Sequence, residues 1–431
     1  MLSFRKFCLY LTAPALLGTV LFFALGYTAL AQLCAAIAAP AFALGLGALP
    51  NWKGYQYTAW ILAAVVLAMI FPTAFLRWGD FDLRNKWVVL VVVQLVMFGM
   101  GTQMSLRDFA GVMKTPYGVF IAVGGQFLIM PLTGWALTKL FPMPDEIAAG
   151  VILIGCCSSG LASNVMCFIA KANLALSITA TAITTLVAPF MTPLWMKLLA
   201  GALVEVKFLN MMTEIVKIVI VPIGAALLHD YLKYAPTAQH RLISRAALAC
   251  AIYVGLLLSP LSPLSSSTLA PTSALLIELS GWVAGAVVFG RLYHVATRKL
   301  KRLDSFMPFV SMAGIVYFTT ITTAAGRDNL LKVGAVLIAV AILHNTAGYF
   351  FGYWVARAAR LDRASCRTVA IEVGLQNGGM ASGLAGAMGK LATVGLAAAV
   401  FSPWMNISGS ILANYWKKRP VGPGPTPDET T

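Results

Sequence analysis

Long apolar runs, parted by short charged or Pro/Gly-rich clusters, take up nearly the whole chain. They lie at about residues 8–29, 31–48, 57–76, 87–103, 116–140, 146–170, 174–200, 207–232, 243–262, 272–293, 306–325, 330–357, 366–389 and 393–416. A helix rises about 1.5 Å per residue, so roughly twenty apolar residues cross the hydrocarbon core of a bilayer. The pattern therefore predicts fourteen membrane-spanning helices, an all-α polytopic membrane protein. Separators such as Arg77-Trp78-Gly79-Asp80 and Phe141-Pro142-Met143-Pro144-Asp145 carry turn-forming and charged residues.

Two of the runs are interrupted by polar, glycine-rich segments. One reads Gly155-Cys156-Cys157-Ser158-Ser159-Gly160-Leu161-Ala162-Ser163-Asn164, the other Glu372-Val373-Gly374-Leu375-Gln376-Asn377-Gly378-Gly379. A carboxylate, amides and clustered hydroxyls are costly in hydrocarbon and mark a functional site there. Broken helices in corresponding positions of two halves point to a transporter's binding site.

Composition agrees. The 431 residues are 59% hydrophobic and 11% charged, against about 25% charged in soluble domains, and mean hydropathy is +0.83. The net charge of +16 does not imply a nucleic-acid partner, because the basic residues sit in short loops between spans. With the N-terminus placed inside, the cytoplasmic segments collect more than twice as many Lys and Arg as the outer ones. Both termini are expected in the cytoplasm. The seven cysteines show no CxxC or Cys/His metal spacing and read as small buried residues. Arg5 and Lys6 precede an apolar run too long for a typical signal peptide, so an uncleaved helix is expected.

Setting aside hairpins at about 8–48 and 243–293 leaves ten helices, with an interruption in the fourth helix of each five. An odd number of spans per half inverts the second half relative to the first. The expected organisation is an extra N-terminal hairpin over 1–56 and a first five-helix repeat over 57–206. The second repeat starts with one helix over 207–237, is broken by an inserted hairpin over 238–303, and resumes over 304–416. A Pro/Gly-rich tail over 417–431 is expected to be disordered.

Among the acidic residues within spans, Glu214 has Lys217 nearby as a pairing partner, and Glu278 suits the early turns of a hairpin helix. Glu372 has no basic residue in the four positions after it. It calls for a cation, a proton or a hydrogen-bond cage. Gly374, Gly378 and Gly379 let the helix unwind, which frees carbonyls such as those of Val373 and Leu375. Gln376 and Asn377 add amide oxygens. Oxygen ligands with one carboxylate suit sodium. Ser158, Ser159, Ser163 and Asn164 in the first break, and Ser177 and Thr181 on one face of the next helix, are candidates that hydroxyl glue between helices also explains. Gln126 is ambiguous alone.

At these residues the chain resembles the bacterial branch of the bile acid:sodium symporter family. The matching strings are Phe98-Gly99-Met100-Gly101, Gln126-Phe127-Leu128-Ile129-Met130-Pro131, Gly155-Cys156-Cys157 through Ala162-Ser163-Asn164-Val165-Met166, Ala175-Leu176-Ser177, Glu372-Val373-Gly374-Leu375-Gln376-Asn377 and Asn406-Ile407-Ser408-Gly409-Ser410. The resemblance implies inverted five-helix repeats forming a panel and a core domain, with two discontinuous helices crossing in the core. It implies one sodium site at Ser163, Asn164, Ser177, Thr181 and Glu372, and a second at Gln126, Glu372, Val373, Leu375 and Gln376. Asn377, Ser158, Ser159 and Asn406 would face an organic anion. Two positions depart from the family pattern: Ser158-Ser159 replaces a common Pro-Gly, and Met405 replaces a histidine found in some members.

The resulting expectation is a sodium-coupled symporter in a bacterial inner membrane that takes up a small carboxylate or a bile-acid-like anion, with Na+ as coupling ion and no cofactor. The rival is a proton-coupled transporter of the same fold with Glu372 as proton carrier. An enzyme is not expected, since the chain has no paired catalytic carboxylates or nucleophile with a base. His229, His240, His294 and His344 are scattered in sequence. A channel would be betrayed by flux without accumulation.

Overall fold

The computed structural model describes residues 2–110, 115–259, 262, 270–419 and 421. Apart from a two-stranded turn pairing Arg77–Trp78 with Phe81–Asp82, the described elements are helical. The first half comprises α1 (Leu2–Ala24), α2 (Thr28–Leu46), α3 (Gln56–Ile70), α4 (Pro72–Leu76), α5 (Lys86–Gly101), α6 (Leu106–Ala110), α7 (Pro116–Leu140), α8 (Asp145–Cys156), α9 (Leu161–Ile169) and α10 (Leu174–Ala200). The second comprises α11 (Phe208–Ile215), α12 (Val221–Tyr234), α13 (Thr237–Leu258), α14 (Pro271–Lys299), α15 (Leu303–Ala325), α16 (Arg327–Ala358), α17 (Arg363–Gly374), α18 (Gly378–Ala387) and α19 (Val394–Lys417). A π-helical turn, Val216–Ile220, joins α11 to α12 in one span.

Among the described residues, ten helical spans are long and apolar enough to cross a bilayer by themselves. The shorter α3 and α5 and the broken pairs α8/α9 and α17/α18 supply the remaining expected segments. Several starts have a local cause. Asn85, Asn173, Asp362 and Asn377 cap α5, α10, α17 and α18 by accepting backbone N–H bonds. Proline opens α4, α7 and α14, where its missing N–H costs nothing.

The packing repeats between the halves. Exchanging α3 for α11/α12, α5 for α15, α7 for α16, α8/α9 for α17/α18 and α10 for α19 maps many of the contacts onto one another. Thus α3 packs on α15 as α12 packs on α5, α7 packs on α8 as α16 packs on α17, and α8 packs on α19 as α17 packs on α10. The pairs α5–α15 and α7–α16 meet across the pseudo-twofold. Helices α3, α5, α11/α12 and α15 form the panel, and the rest of the ten form the core. The extra hairpins obey the same relation, because α2 lies on α3 and α14 lies on its counterpart α12. They leave large apolar side chains exposed, and α13 buries only Ala247. That surface suits lipid and not water.

The structure adds two sets of contacts that the sequence did not show. The carboxylate of Glu278, near the start of α14, is 2.6 Å from Lys217 Nζ, which also reaches Glu214 at 3.1 Å. The inserted hairpin thus supplies a second partner to a lysine that sequence paired only locally. Three of the scattered histidines also meet. The ring centroids of His229 and His294, and of His240 and His294, are 5.3 Å apart, because α13 and α14 fold back onto α12. The tail beyond 419, except 421, lies outside the described residues.

Candidate ion and substrate site

Both breaks arise where a helix stops one turn short of its continuation. Helix α8 ends at Cys156 and the chain turns extended at Cys157, while α17 ends at Gly374 and turns extended at Leu375. A helix end in a membrane must find partners for its free carbonyls. The preceding helix of each half provides one. Gln126 Nε2 on α7 donates to Cys157 O at 2.9 Å, and Asn345 Nδ2 on α16 donates to Gly374 O at 2.8 Å. The two extended segments then pair with each other. Asn377 N donates to Ser158 O at 2.8 Å and Gly160 N to Leu375 O at 3.4 Å, forming an antiparallel bridge between Ser159 and Gln376. The break thus needs no proline in the first segment.

Glu372, in the last turn of α17, is 1% exposed. Its Oε1 accepts from Ser177 Oγ at 2.5 Å and its Oε2 from Thr181 Oγ1 at 2.9 Å. Ser177 Oγ also lies 2.8 Å, and Thr181 Oγ1 3.3 Å, from Asn164 Oδ1. Ser163 Oγ is 3.2 Å from Thr181 Oγ1 and 2.8 Å from Gly160 O, and Ser159 Oγ is 3.2 Å from both Ser163 Oγ and Leu375 O. The Gly160 and Leu375 carbonyls also accept from the backbone N–H groups of Ser163 and Gly160, but the two hydroxyl hydrogens of Ser177 and Thr181 face three acceptors, the two carboxylate oxygens and the Asn164 amide oxygen. Ser177 and Thr181 cannot fully serve both Glu372 and Asn164 with one hydrogen each. No basic side chain is hydrogen-bonded or ion-paired to Glu372 among the described residues. A buried anionic oxygen cluster short of hydrogens is chemically a cation-binding cluster.

Beside it lies a second group. Gln126 Nε2 also donates to Gln376 Oε1 at 2.7 Å, and Gln376 Nε2 donates to Val373 O at 2.7 Å. Gln126 Oε1 is buried without a partner. Among the described residues no side-chain hydrogen bond links Gln126, Gln376 or Val373 to the Glu372 carboxylate, so these three form a neighbouring cluster centred on Gln376, while the Leu375 carbonyl joins the first cluster through Ser159.

The core and panel enclose a cavity of about 330 Å³. The core wall includes Gly160, Leu161, Asn377, Gly378, Ser402 and Asn406, and the panel side is set by Tyr57, Gln103 and Ser311. The starts of α9 and α18 both border it, so two positive helix ends meet there. Asn377 Oδ1 caps α18 at Met380 N, 3.0 Å away, while Asn377 Nδ2 is buried without a partner. Asn406 Nδ2 donates to Ser402 O at 2.8 Å.

Of the expected anion-facing residues, Asn377 and Asn406 line this cavity and Ser158 and Ser159 do not. Both serines are fully buried: Ser158 Oγ faces Met380 Sδ and Thr185, and Ser159 joins the Glu372 cluster. The bridge to Gln376 turns them inward. Met405 does line the cavity. Sequence reasoning missed the supports behind these groups: Asn345 on Gly374 O, Ser408 on Asn345 at 2.5 Å, and His344 Nε2 against Met130 O at 2.9 Å. The signal available was a His-Asn pair inside an otherwise apolar span.

On the opposite side from Tyr57 and Gln103, α18 closes against α5. A Cβ on Gly383 would come within 2.5 Å of Val93 Cγ2, and one on Gly386 within 2.6 Å of Val89 Cγ1. The panel residues that line the cavity come from the start of α3, the end of α5 and the start of α15, one side of the membrane.

Comparison with known proteins gives consistent results. The model of the sodium bile acid symporter family matches residues 90–261. The uncharacterized sodium-dependent transporter YocS of Bacillus subtilis is 32% identical over 373 residues, covering 86% of this chain and 93% of the relative. The probable sodium/metabolite cotransporter BASS1, chloroplastic, of Oryza sativa is 28% identical, covering 84% of this chain and 73% of the relative. The human ileal sodium/bile acid cotransporter is 26% identical, covering 67% and 66%. Among solved structures, the sodium proton antiporter MjNhaP1 of Methanocaldococcus jannaschii has a TM-score of 0.51 at 14% identity, covering 90% of this chain and 99% of that chain, a likeness of fold.

Proposed function

The chain belongs to the sodium bile acid symporter family, an integral membrane protein of a sodium-dependent transporter family, and from that premise we propose that it couples Na+ entry to uptake of a small organic anion by alternating access. The single observation that carries the reading is the Glu372 cluster. It is a buried carboxylate among more acceptors than hydrogens, held between two broken helices whose starts border the cavity.

In this reading one Na+ binds to Glu372, Ser163, Asn164, Ser177 and Thr181. A second uses Gln126, Gln376 and the carbonyls of Val373 and Leu375, with Glu372 shared. Hydroxyl and amide oxygens suit a hard cation, and the single carboxylate offsets its lost hydration. Ions on this cluster neutralise Glu372 and draw α9 toward α17 and the extended segment that leads into α18 at the crossing. Their paired positive ends, with Asn377 Nδ2 and Asn406, then receive a carboxylate. Ordering one site through the same two helices that form the other supplies the coupling free energy.

A cavity of about 330 Å³ lies at the small end of ligand pockets, which run to roughly 1,000 Å³. The reading therefore favours a small carboxylate over a sterol-sized anion. Access in this conformation is from the side at which α3 starts, which the charge bias assigns to the cytoplasm. Opening the α5–α18 seam would expose the site to the other side, in what the same bias makes the outer face of a bacterial inner membrane.

The test is uptake into proteoliposomes. An inward sodium gradient should drive accumulation of a labelled carboxylate above its outside concentration, with no such drive from a proton gradient in sodium-free buffer. Proton-driven accumulation indifferent to sodium would establish the rival, in which Glu372 carries the proton. Flux that never exceeds the substrate gradient would indicate a channel.

A further inference from the structure

On the outer face of the core, away from the ion cluster, α16 and α19 leave a groove of about 620 Å³. Its walls are aromatic: Tyr349, Phe350, Tyr353 and Trp354 from α16, and Trp404 and Tyr415 from α19. Phe350, Trp354, Ile411 and Tyr415 are exposed. On α19 the lining runs from Trp404 to Trp416, roughly 18 Å at 1.5 Å per residue, most of the length of an extended acyl chain.

Tyr and Trp near a helix end are common at membrane interfaces and alone say little. The groove differs because a basic collar closes one end. Arg367 Cζ lies 5.5 Å from the Trp416 ring centroid, and its Nη2 donates to Arg419 O at 2.7 Å. Arg419 Cζ lies 3.9 Å over the Tyr415 ring. Arg357, Arg363, Lys417 and Lys418 are exposed around the same helix ends. Among the described residues none of these six cations forms an ion pair. The nearby carboxylate of Asp362 caps α17 instead. Arg367 is buried with its guanidinium on the Trp416 and Arg419 carbonyls, but the other five cations are exposed and without an ion-pair partner, and at one mouth of an acyl-length aromatic groove they are complementary to one kind of molecule, a long apolar chain with an anionic head.

We infer that this groove is a binding site for an anionic phospholipid, with an acyl chain between α16 and α19 and its phosphate on the exposed collar of Arg363, Lys417, Lys418 and Arg419. The site also touches the ion cluster's frame. Tyr349 OH is 3.1 Å from Ser408 Oγ, which donates to Asn345 Oδ1, and Asn345 caps the broken α17 at Gly374 O. A lipid that fixes Tyr349 therefore steadies the break next to Glu372. The inference stands whether or not sodium is the coupling ion.

The experiment is thermal unfolding of delipidated full-length protein in a neutral detergent. It is titrated with phosphatidylglycerol, with phosphatidylcholine of the same acyl chains, or with glycerol phosphate. Phosphatidylglycerol should stabilise the wild type at concentrations at least about tenfold lower than phosphatidylcholine, and glycerol phosphate should do nothing. The exposed-charge variant Arg363→Gln/Lys417→Gln/Lys418→Gln/Arg419→Gln should lose that preference while unfolding normally in phosphatidylcholine. Ile411→Trp, which fills the groove from an exposed position, should weaken the response to phosphatidylglycerol with the collar intact. Equal response to both lipids, or full response to free glycerol phosphate, overturns the inference. A preference that survives either variant overturns it too, since binding would then lie elsewhere or rest on surface charge alone.

Discussion

Glu372→Gln separates an ion ligand from a structural acid. The side chain keeps its shape, so packing against the crossing is unchanged. The charge disappears, and two N–H hydrogens enter a cluster in which the hydroxyl hydrogens of Ser177 and Thr181 serve three acceptors. The losses are the charge-assisted bonds from Ser177 and Thr181, about 1.5–3 kcal/mol each when the acceptor is ionised. The gain is relief of the desolvation penalty of a buried anion, several kcal/mol, together with a donor for the Asn164 amide oxygen. The two sides are comparable, so sodium-free stability should change by no more than about 2 kcal/mol in either direction. The sodium response should differ sharply. At a sodium concentration one hundred times its dissociation constant, binding stabilises the folded state by about 2.7 kcal/mol, which raises the unfolding temperature by a few degrees in a chain of this size. The variant should show almost none of that rise. The assay is unfolding temperature in sodium chloride against choline chloride at constant ionic strength. If sodium raises both proteins equally, Glu372 is not a sodium ligand and the hydrogen-counting argument fails. If the variant falls by much more than 2 kcal/mol without sodium, the carboxylate is a structural anion.

Other consequences follow from particular contacts. Asn377→Asp keeps the cap on Met380 N but exchanges the unpartnered Nδ2 for a negative oxygen beside the cavity; carboxylate-dependent stabilisation should vanish while the sodium response persists. Gly383→Ala with Gly386→Ala overpacks the α5–α18 seam by about 1–3 kcal/mol, and its helix-propensity gain is common to both conformations. A shift of about 2 kcal/mol is roughly thirtyfold in the conformational ratio, read as faster labelling of Leu90→Cys by an impermeant thiol reagent; unchanged labelling would mean the seam does not open. Lys217→Met leaves Glu214 and Glu278 facing each other without their cation, and should destabilise by about 1–3 kcal/mol, with Glu278→Gln recovering part of it in a double-mutant cycle.

Much of the fold was legible because the bilayer forces it. Water-insoluble runs must span as helices, so hydropathy located the segments. The breaks at 155–164 and 372–379 stood out because polar groups in hydrocarbon are expensive. The inverted halves followed from counting spans. Asn164, Ser177, Thr181 and Glu372 converge as their spacing and the family resemblance suggested. Ser158 and Ser159 could not be placed by the same reasoning. They sit in an extended stretch where neighbouring residues point opposite ways, and their direction is set by a partner strand more than two hundred residues distant. Glu278 and the three adjoining histidines were hidden for a like reason, since their partners come from an inserted hairpin folded back on α12.

The sequence by itself determined that the chain lives in a membrane, where it crosses, and which two crossings carry charge and amides, because one-dimensional patterns suffice to solve the problem of hydrocarbon solvation. The tertiary structure decided which oxygens meet. It made Gln126 and Asn345 equivalent caps on the two broken helices, turned two serines away from the cavity, Ser159 into the Glu372 cluster and Ser158 against Met380, and set two helix starts against a single space. Those outcomes depend on antiparallel pairing between distant segments, and no local run of residues encodes a partner's position.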